Sequence, residues 1–593
     1  SEFKMEKIDK LDRQILNIIS KNARIPFKDV AEECGVSRAA IHQRVQRMID
    51  MNVIVGSGYH INPKILGYNT CTYIGVKLER GSMYKDVVPE FEKIPEVVEC
   101  HFTTGPYTML IKLYARDNEH LMELLNSKIQ EIPGVTAIGI FVFVFSLFSL
   151  GVHAGESFRF RVYLKDKGDS GYTLDNPEEY LSKESVERRN RQGISVSESD
   201  LPIAQAYLDT LSANGGKPVL ESKWFSTVVV SSPDSLVAER LLRLPIVDSV
   251  KWVWKGDEEI DIPREENDTT RFMPIDKPEK SPYGYAEEQI KMLNGIKLHE
   301  AGFKGKGMRV AVVDAGFMNV DRISVFDSLR LLGTHNVVFP GRSVFIGDDH
   351  GTKVLSCLAA DAPGLMVGTA PQAEYWLIKS EDSRSEFPIE EDYWTAAMEF
   401  ADSVGVDVVS SSLGYFSFDV EALNYHQDQL DGRTSLISRA AKMASSKGIL
   451  LFSSAGNEGG GSWGKITFPA DAPDILTVGA ITDRKKKSNF SSVGFTADYR
   501  VKPDVVALGT GCCVIDPTGN IRYANGTSFA TPILAGLGVC LWQAFPSLTN
   551  KDIISLLQRF GSKFEQPDAE LGYGIPDVYK AYKQERKYAA ESK

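Results

Sequence analysis

The sequence predicts a multidomain protein with three parts. A helix-turn-helix with a hairpin and an α+β unit comes first. A second small α+β unit follows, and an α/β domain on a mainly parallel sheet fills the last half. Three observations lead there. The 593 residues amount to several domains at roughly 150 residues each. From about 283 to 580, short Val/Ile/Ala runs alternate with helical segments, the pattern of a parallel sheet. Charge also divides the chain: residues 1–137 hold 18 basic and 18 acidic residues, so the remainder supplies the whole net charge of −12. That acidity excludes a protein that coats nucleic acid along its length. With 43% hydrophobic and 25% charged residues the chain is globular stock. Its seven cysteines follow no CxxC spacing, which excludes a disulfide scaffold and a zinc cluster.

Met5-Glu6-Lys7 reads as a natural start, preceded by Ser1–Lys4. Ile8, Leu11, Ile15 and Ile18 repeat at helical spacing over 6–21. Two more helices, 27–34 and 37–50, flank Gly35, and 52–61 reads as a hairpin. From 70 to 137 the order is strand, helix, strand, strand, helix. Its clearest members are the strands Thr72–Leu78 and Thr108–Tyr114 and the helix Glu119–Ile129. In 37–50, Ile41, Val45 and Met48 should face inward. Ser37, Arg38, His42, Gln43, Arg44 and Arg47 are then available to a DNA groove and its phosphates.

These residues carry a resemblance. Ile8-Asp9-Lys10-Leu11-Asp12 with Ile15-Leu16, then Val30-Ala31 with Cys34-Gly35-Val36-Ser37, then Val45 and Met48, resemble the leucine-responsive regulator (Lrp/AsnC) family. The resemblance implies a winged helix-turn-helix over 1–62 that binds double-stranded DNA. It also implies an α+β ligand-sensing domain over 63–137 through which two copies dimerise. Thr104-Gly105-Pro106-Tyr107 resembles the effector loop, with Gly105 and Tyr107 as effector contacts. The family would finish with another strand after Ala137. Here an apolar run begins instead.

Between Glu131 and Glu156 there is no Asp, Glu, Lys or Arg. Residues 138–152 are nearly all apolar, and Val152-His153-Ala154 fits a small-residue cleavage pattern. Residues 138–154 therefore read first as a signal-type segment. A retained membrane anchor and buried structure remain as alternatives, and a transient membrane contact follows from either of the first two.

Residues 155–255 read as an α+β unit. Its strands are Phe158–Leu164, Thr227–Ser231 and Val250–Trp254, and its helices Ser185–Arg191 and Ser235–Leu244. The Asp/Glu/Pro/Lys-rich stretch 256–282 reads as a linker.

Four segments of 283–593 carry chemistry. The strand Met308–Val313 ends on Asp314. His350-Gly351-Thr352 opens an apolar helix. Asn457 follows the strand Ile449–Phe452. Gly526-Thr527-Ser528-Phe529-Ala530-Thr531-Pro532 opens another apolar helix. A serine hydroxyl needs a base to become a nucleophile. A histidine can be that base, and a buried aspartate fixes its tautomer. An asparagine amide and a backbone N–H can hold the oxyanion.

In that order the four segments resemble the subtilisin-like serine protease (subtilase) family, whose Gly-Thr-Ser-x-Ala-x-Pro block is intact at 526–532. The resemblance implies a serine endopeptidase acting on polypeptides through an acyl-enzyme. Asp314 orients, His350 is general base and acid, Ser528 is the nucleophile and Asn457 the oxyanion donor. Ser412, Leu413 and Gly414 resemble its substrate-binding strand. Ala315 stands where the family usually has Ser or Thr. Catalysis would need no cofactor, and structural calcium is compatible. Glu386–Glu391 reads as a solvated acidic loop and not as a metal site. Residues 155–255 then take the part of the α+β propeptide, as in secreted bacterial precursors.

The halves imply opposite compartments: a cytoplasmic regulator and an exported protease, periplasmic or extracellular. A fusion of a protease with a DNA-binding transcription regulator, two adjacent genes read as one chain, a membrane-tethered protein, and a regulator whose protease-like domain only binds all fit the sequence.

Overall fold

Apolar residues at helical spacing close the first element group of the computed structural model. That model describes residues 10–21, 25–50, 70–80, 83–91, 93–102, 108–116, 118–141, 157–256 and 270–591. Lys10–Lys21, Phe27–Cys34 and Arg38–Asp50 are helices. They bury Ile15, Ile18, Val30, Ile41, Val45 and Met48 in one small core. The turn after the second helix needs a positive φ, and Gly35 supplies it at 66°. The hairpin expected at 52–61 and the effector loop with Gly105 and Tyr107 lie outside the described residues.

A four-stranded antiparallel sheet follows, in the order Val97–Phe102, Met109–Ala115, Thr70–Leu78, Val135–Phe141. Its last strand corrects the sequence reading. Residues 138–141, assigned there to a signal-type segment, pair with Thr70–Leu78, with Ile138 opposite Val76 and Ile140 opposite Ile74. The strand thought to be missing after Ala137 is therefore present. A strand completing a sheet and a signal-type segment are both short, uncharged and apolar, so composition does not separate them. The rest of 138–154 lies outside the described residues up to 156.

The chain divides into two compact units, 1–153 and 154–593. The second unit contains both later parts. Its small sheet is antiparallel, in the order Lys217–Ser222, Thr227–Ser232, Ser157–Leu164, Val247–Gly256. The strand Lys217–Ser222 and the helix Gln205–Ala213 extend what the sequence reading identified. The large sheet has seven parallel strands, in the order Arg330–Asn336, Glu374–Lys379, Arg309–Asp314, Val408–Ser411, Leu450–Ser454, Leu476–Ile481, Val505–Leu508. Its three central strands bury nearly every side chain, as strands covered on both faces must. One cover is the helix Thr527–Ala544. Among the described residues it is the one helix long and apolar enough to cross a membrane, and 89% of it is buried in this core. Within the expected linker, residues 270–282 lie on the large domain: Phe272 bridges Ile323, and Ile521 N–H donates to Asp276 at 2.8 Å.

The acidic segment 386–391 is a second correction. It is not a solvated loop: Glu390 and Glu391 are buried in the first turn of the helix Ile389–Ser403. The small α+β part covers that helix. Arg161, fully buried, donates from Nε and Nη2 to the Asp392 carboxylate at 2.6 and 2.5 Å. Arg188 and Arg189, also buried, both reach Asp402, Arg189 at 2.8 Å. Arg189 also holds Asp200 at 2.9 Å, and Lys447 holds the other Asp200 oxygen at 2.9 Å. Glu399 accepts from the Ser222 hydroxyl and from the N–H groups of Lys223 and Trp224. Buried charges survive only when paired in this way.

Candidate active site

Parallel strands deliver their carboxyl ends to one edge, where sites gather. One of the three central strands, Arg309–Asp314, ends on Asp314, whose side chain is fully buried. Asp314 Oδ1 accepts from the Ala315 N–H at 2.8 Å and pairs with His350 Nδ1 at 2.7 Å. His350 is the first residue of the helix His350–Ala359. Its own N–H donates to Asp348 Oδ1 at 2.8 Å, which sets the entry of the chain into the helix. Asp314 Oδ2 is buried with no hydrogen-bond partner among the described residues. Ala315, next along the chain, carries no hydroxyl.

Burial disfavours a charged His350. The Asp314 charge and hydrogen bond outweigh that, and the charges of Glu381 and Asp348 add to them, so the His350 pKa is raised to about 9. Ser528 sits in the first turn of the helix Thr527–Ala544, where backbone N–H groups lack helical partners. Its hydroxyl lies 3.4 Å from the Ser412 carbonyl, and Ser412 Oγ donates back to the Ser528 carbonyl at 2.8 Å. Asn457 is oriented by its oxygen, which accepts from Thr527 N–H at 2.9 Å and Thr527 Oγ1 at 3.0 Å. Its amide nitrogen, the donor end, is thereby turned away from Thr527.

One cleft of about 350 Å³ collects these groups. Its walls include His350, Asn457 and Ser528 together with Ser412, Leu413 and Gly414. Gly414 must lack a side chain, because a Cβ there would stand 2.2 Å from Thr467 Oγ1. The structure thus brings together all seven residues expected for catalysis and substrate binding, with Asp314 behind His350. Sequence reasoning missed Asp348, Glu381, Glu458 and Thr467 on the same walls. Glu381 was findable, since it follows the strand next to that of Asp314. Among the described residues no group of three or more His, Cys, Asp or Glu could hold a metal.

In the first unit, Arg38, His42 and Gln43 are exposed on the helix Arg38–Asp50. Ser37 caps that helix, accepting from Ala40 N–H at 3.2 Å. Arg44 and Arg47, expected to point outward, reach back to the buried carboxylate of Asp12, Arg44 at 2.8 Å. The sequence showed no reason for this because Asp12 lies on another helix. His42 packs edge-on against Phe27.

Comparison with known proteins agrees with both halves. The subtilase family model matches residues 305–574, and the Bacteroidota peptidase S8 propeptide domain matches 159–270. The winged helix-turn-helix DNA-binding model matches 8–55, and the Lrp/AsnC ligand-binding domain matches 71–146. Regulatory protein AsnC of Haemophilus influenzae is 38% identical over 131 residues, 22% of this chain and 87% of that protein. Subtilisin NAT of Bacillus subtilis subsp. natto is 28% identical over 380 residues, 63% of this chain and 86% of that protein. The chain belongs to the Lrp/AsnC family, and its later part is similar to the subtilases. The solved structure of Escherichia coli AsnC is 32% identical, covering 25% of this chain and 99% of that one, with a TM-score of 0.22. The Lrp/AsnC ligand-binding match runs past Ala137 to 146, in keeping with the fourth strand of the sheet. The subtilase part is accompanied by a propeptide domain whose strands cover the helix Ile389–Ser403.

Proposed function

We propose that the subtilase part is a serine endopeptidase. The observation that carries this is the 2.7 Å pairing of His350 with buried Asp314 in one cleft with Ser528 and Asn457. An extended peptide lies along Ser412–Gly414 as an added strand. Neutral His350 takes the Ser528 proton through Nε2 as the hydroxyl swings from the Ser412 carbonyl and attacks the scissile carbonyl. Asn457 and the Ser528 N–H hold the oxyanion. His350 then protonates the leaving amine, and water enters by the reverse steps to free the acid and Ser528. Ser528→Ala should lower turnover of unfolded protein by on the order of 10⁴–10⁶. Unchanged turnover would rule out this reading.

The propeptide domain, seated through Arg161, Arg188 and Arg189, acts as inhibitor and folding template of the enzyme. The regulator part binds duplex DNA through Arg38, His42 and Gln43, as a dimer formed by the 70–141 sheet. Expressed alone, it should sediment as a dimer. It should bind DNA with a log–log salt slope of about −0.9 per phosphate neutralised.

A further inference from the structure

Resting on the endopeptidase reading, we infer that Glu381 makes the cleft select a cationic side chain, lysine or arginine, at the second substrate residue upstream of the cut. Side chains of an extended strand alternate sides. If the residue before the cut drops between Ser412–Gly414 and Gly456–Glu458, its predecessor turns the opposite way. Apart from those two segments, the cleft lining includes Ala315, Asp348, His350 and Glu381, and the last two are close enough to interact electrostatically.

That part of the lining is negative. Glu381 and Asp348 are half-buried, and neither makes an ion pair within 4 Å among the described residues. The Glu381 carboxyl is anchored from one side by the Tyr415 hydroxyl at 3.5 Å. Lys379 attracts it electrostatically, but its ammonium donates to the Ala315 carbonyl. Among the described residues no lysine or arginine lines the cleft. Burial and the Asp314 charge push the Glu381 pKa up to about 7, against the pull of His350. A substrate ammonium or guanidinium entering there would restore the partner that the carboxylate lacks, as a charge-assisted hydrogen bond.

The full-length protein is tested on a library of peptides of mixed sequence, with cut sites read by mass spectrometry. Lysine and arginine should be enriched roughly tenfold at that position, the size of effect a partly desolvated charge pair gives. Glu381→Gln should remove the enrichment and Glu381→Asp should retain most of it. A measurement free of any variant uses two peptidyl phosphonates differing only in lysine against norleucine there. The lysine compound should label the wild type faster. Cutting without cationic enrichment, equal labelling by the two phosphonates, or enrichment unchanged in Glu381→Gln overturns the inference and leaves the endopeptidase reading standing. No cutting and no labelling of Ser528 overturns both.

Discussion

Two acidic surfaces of the subtilase part are built in opposite ways. Beneath the propeptide, the helix Ile389–Ser403 presents Asp392, Glu399 and Asp402. Each is matched, by Arg161, by the Ser222 hydroxyl with two N–H groups, or by Arg188 and Arg189. In the cleft, Asp348 and Glu381 make no ion pair within 4 Å among the described residues, and His350 and Lys379 act on them only electrostatically. The first surface is closed by its own chain, with partners 175 to 231 positions away. The second is left for something that comes and goes. A carboxylate in a protease of this kind is therefore informative by what faces it, and its sequence neighbours say little.

The comparison breaks most strongly at the covered face. Asp402→Ala leaves Arg188 and Arg189 buried without their shared partner, a change that typically costs about 3–5 kcal/mol. Hydrogen exchange across 157–256 in the full chain should speed up by a matching factor. Replacing Arg161 and Asp392 together by Met and Leu should recover most of what Arg161→Met alone loses, because two apolar groups need no partner. If the single and double variants behaved alike, the pair would not be what seats the propeptide.

At the cleft, Asn457→Ala should leave substrate binding intact and cut turnover by ~10²–10³. The pH profile sharpens the contrast further. His350 acts as a base only when neutral, and its pKa is raised to about 9, so kcat/KM should climb through about pH 9 and level above it. Glu381 is one of the negative charges that favour the histidine cation. Glu381→Gln should therefore move the rising limb to lower pH, whereas an unmoved limb would separate Glu381 from the histidine. The smallest effect belongs to the regulator. Arg38→Ala should weaken DNA binding by roughly 1–3 kcal/mol if the side chain reads a base edge, and evenly across sequences if it touches only phosphate.

Much of this was legible in the residues. Asp314 closes a strand, His350 and Ser528 lie in the first turns of helices, and Asn457 follows a strand by three residues, and such positions leave a local mark: an apolar run ending on a polar residue, or a small residue before a helix. The inward face Ile41, Val45 and Met48 follows from spacing alone. What stayed hidden depends on distant partners. Nothing local tells that Arg44 and Arg47 will share Asp12, or that Glu391 and Asp392 will be buried beside Arg161. The fourth strand of the regulator sheet was hidden for another reason: residues 138–141 belong to an uncharged apolar run whose chemistry suits a strand and a signal-type segment equally.

The most direct test of the central claim is active-site labelling of the full-length protein with a serine-directed phosphonate, followed by mapping of the modified residue. The account predicts one modified residue, Ser528, with labelling lost in His350→Ala because the hydroxyl then has no base. Labelling at another serine, or labelling of Ser528 that persists at the wild-type rate in His350→Ala, would contradict it.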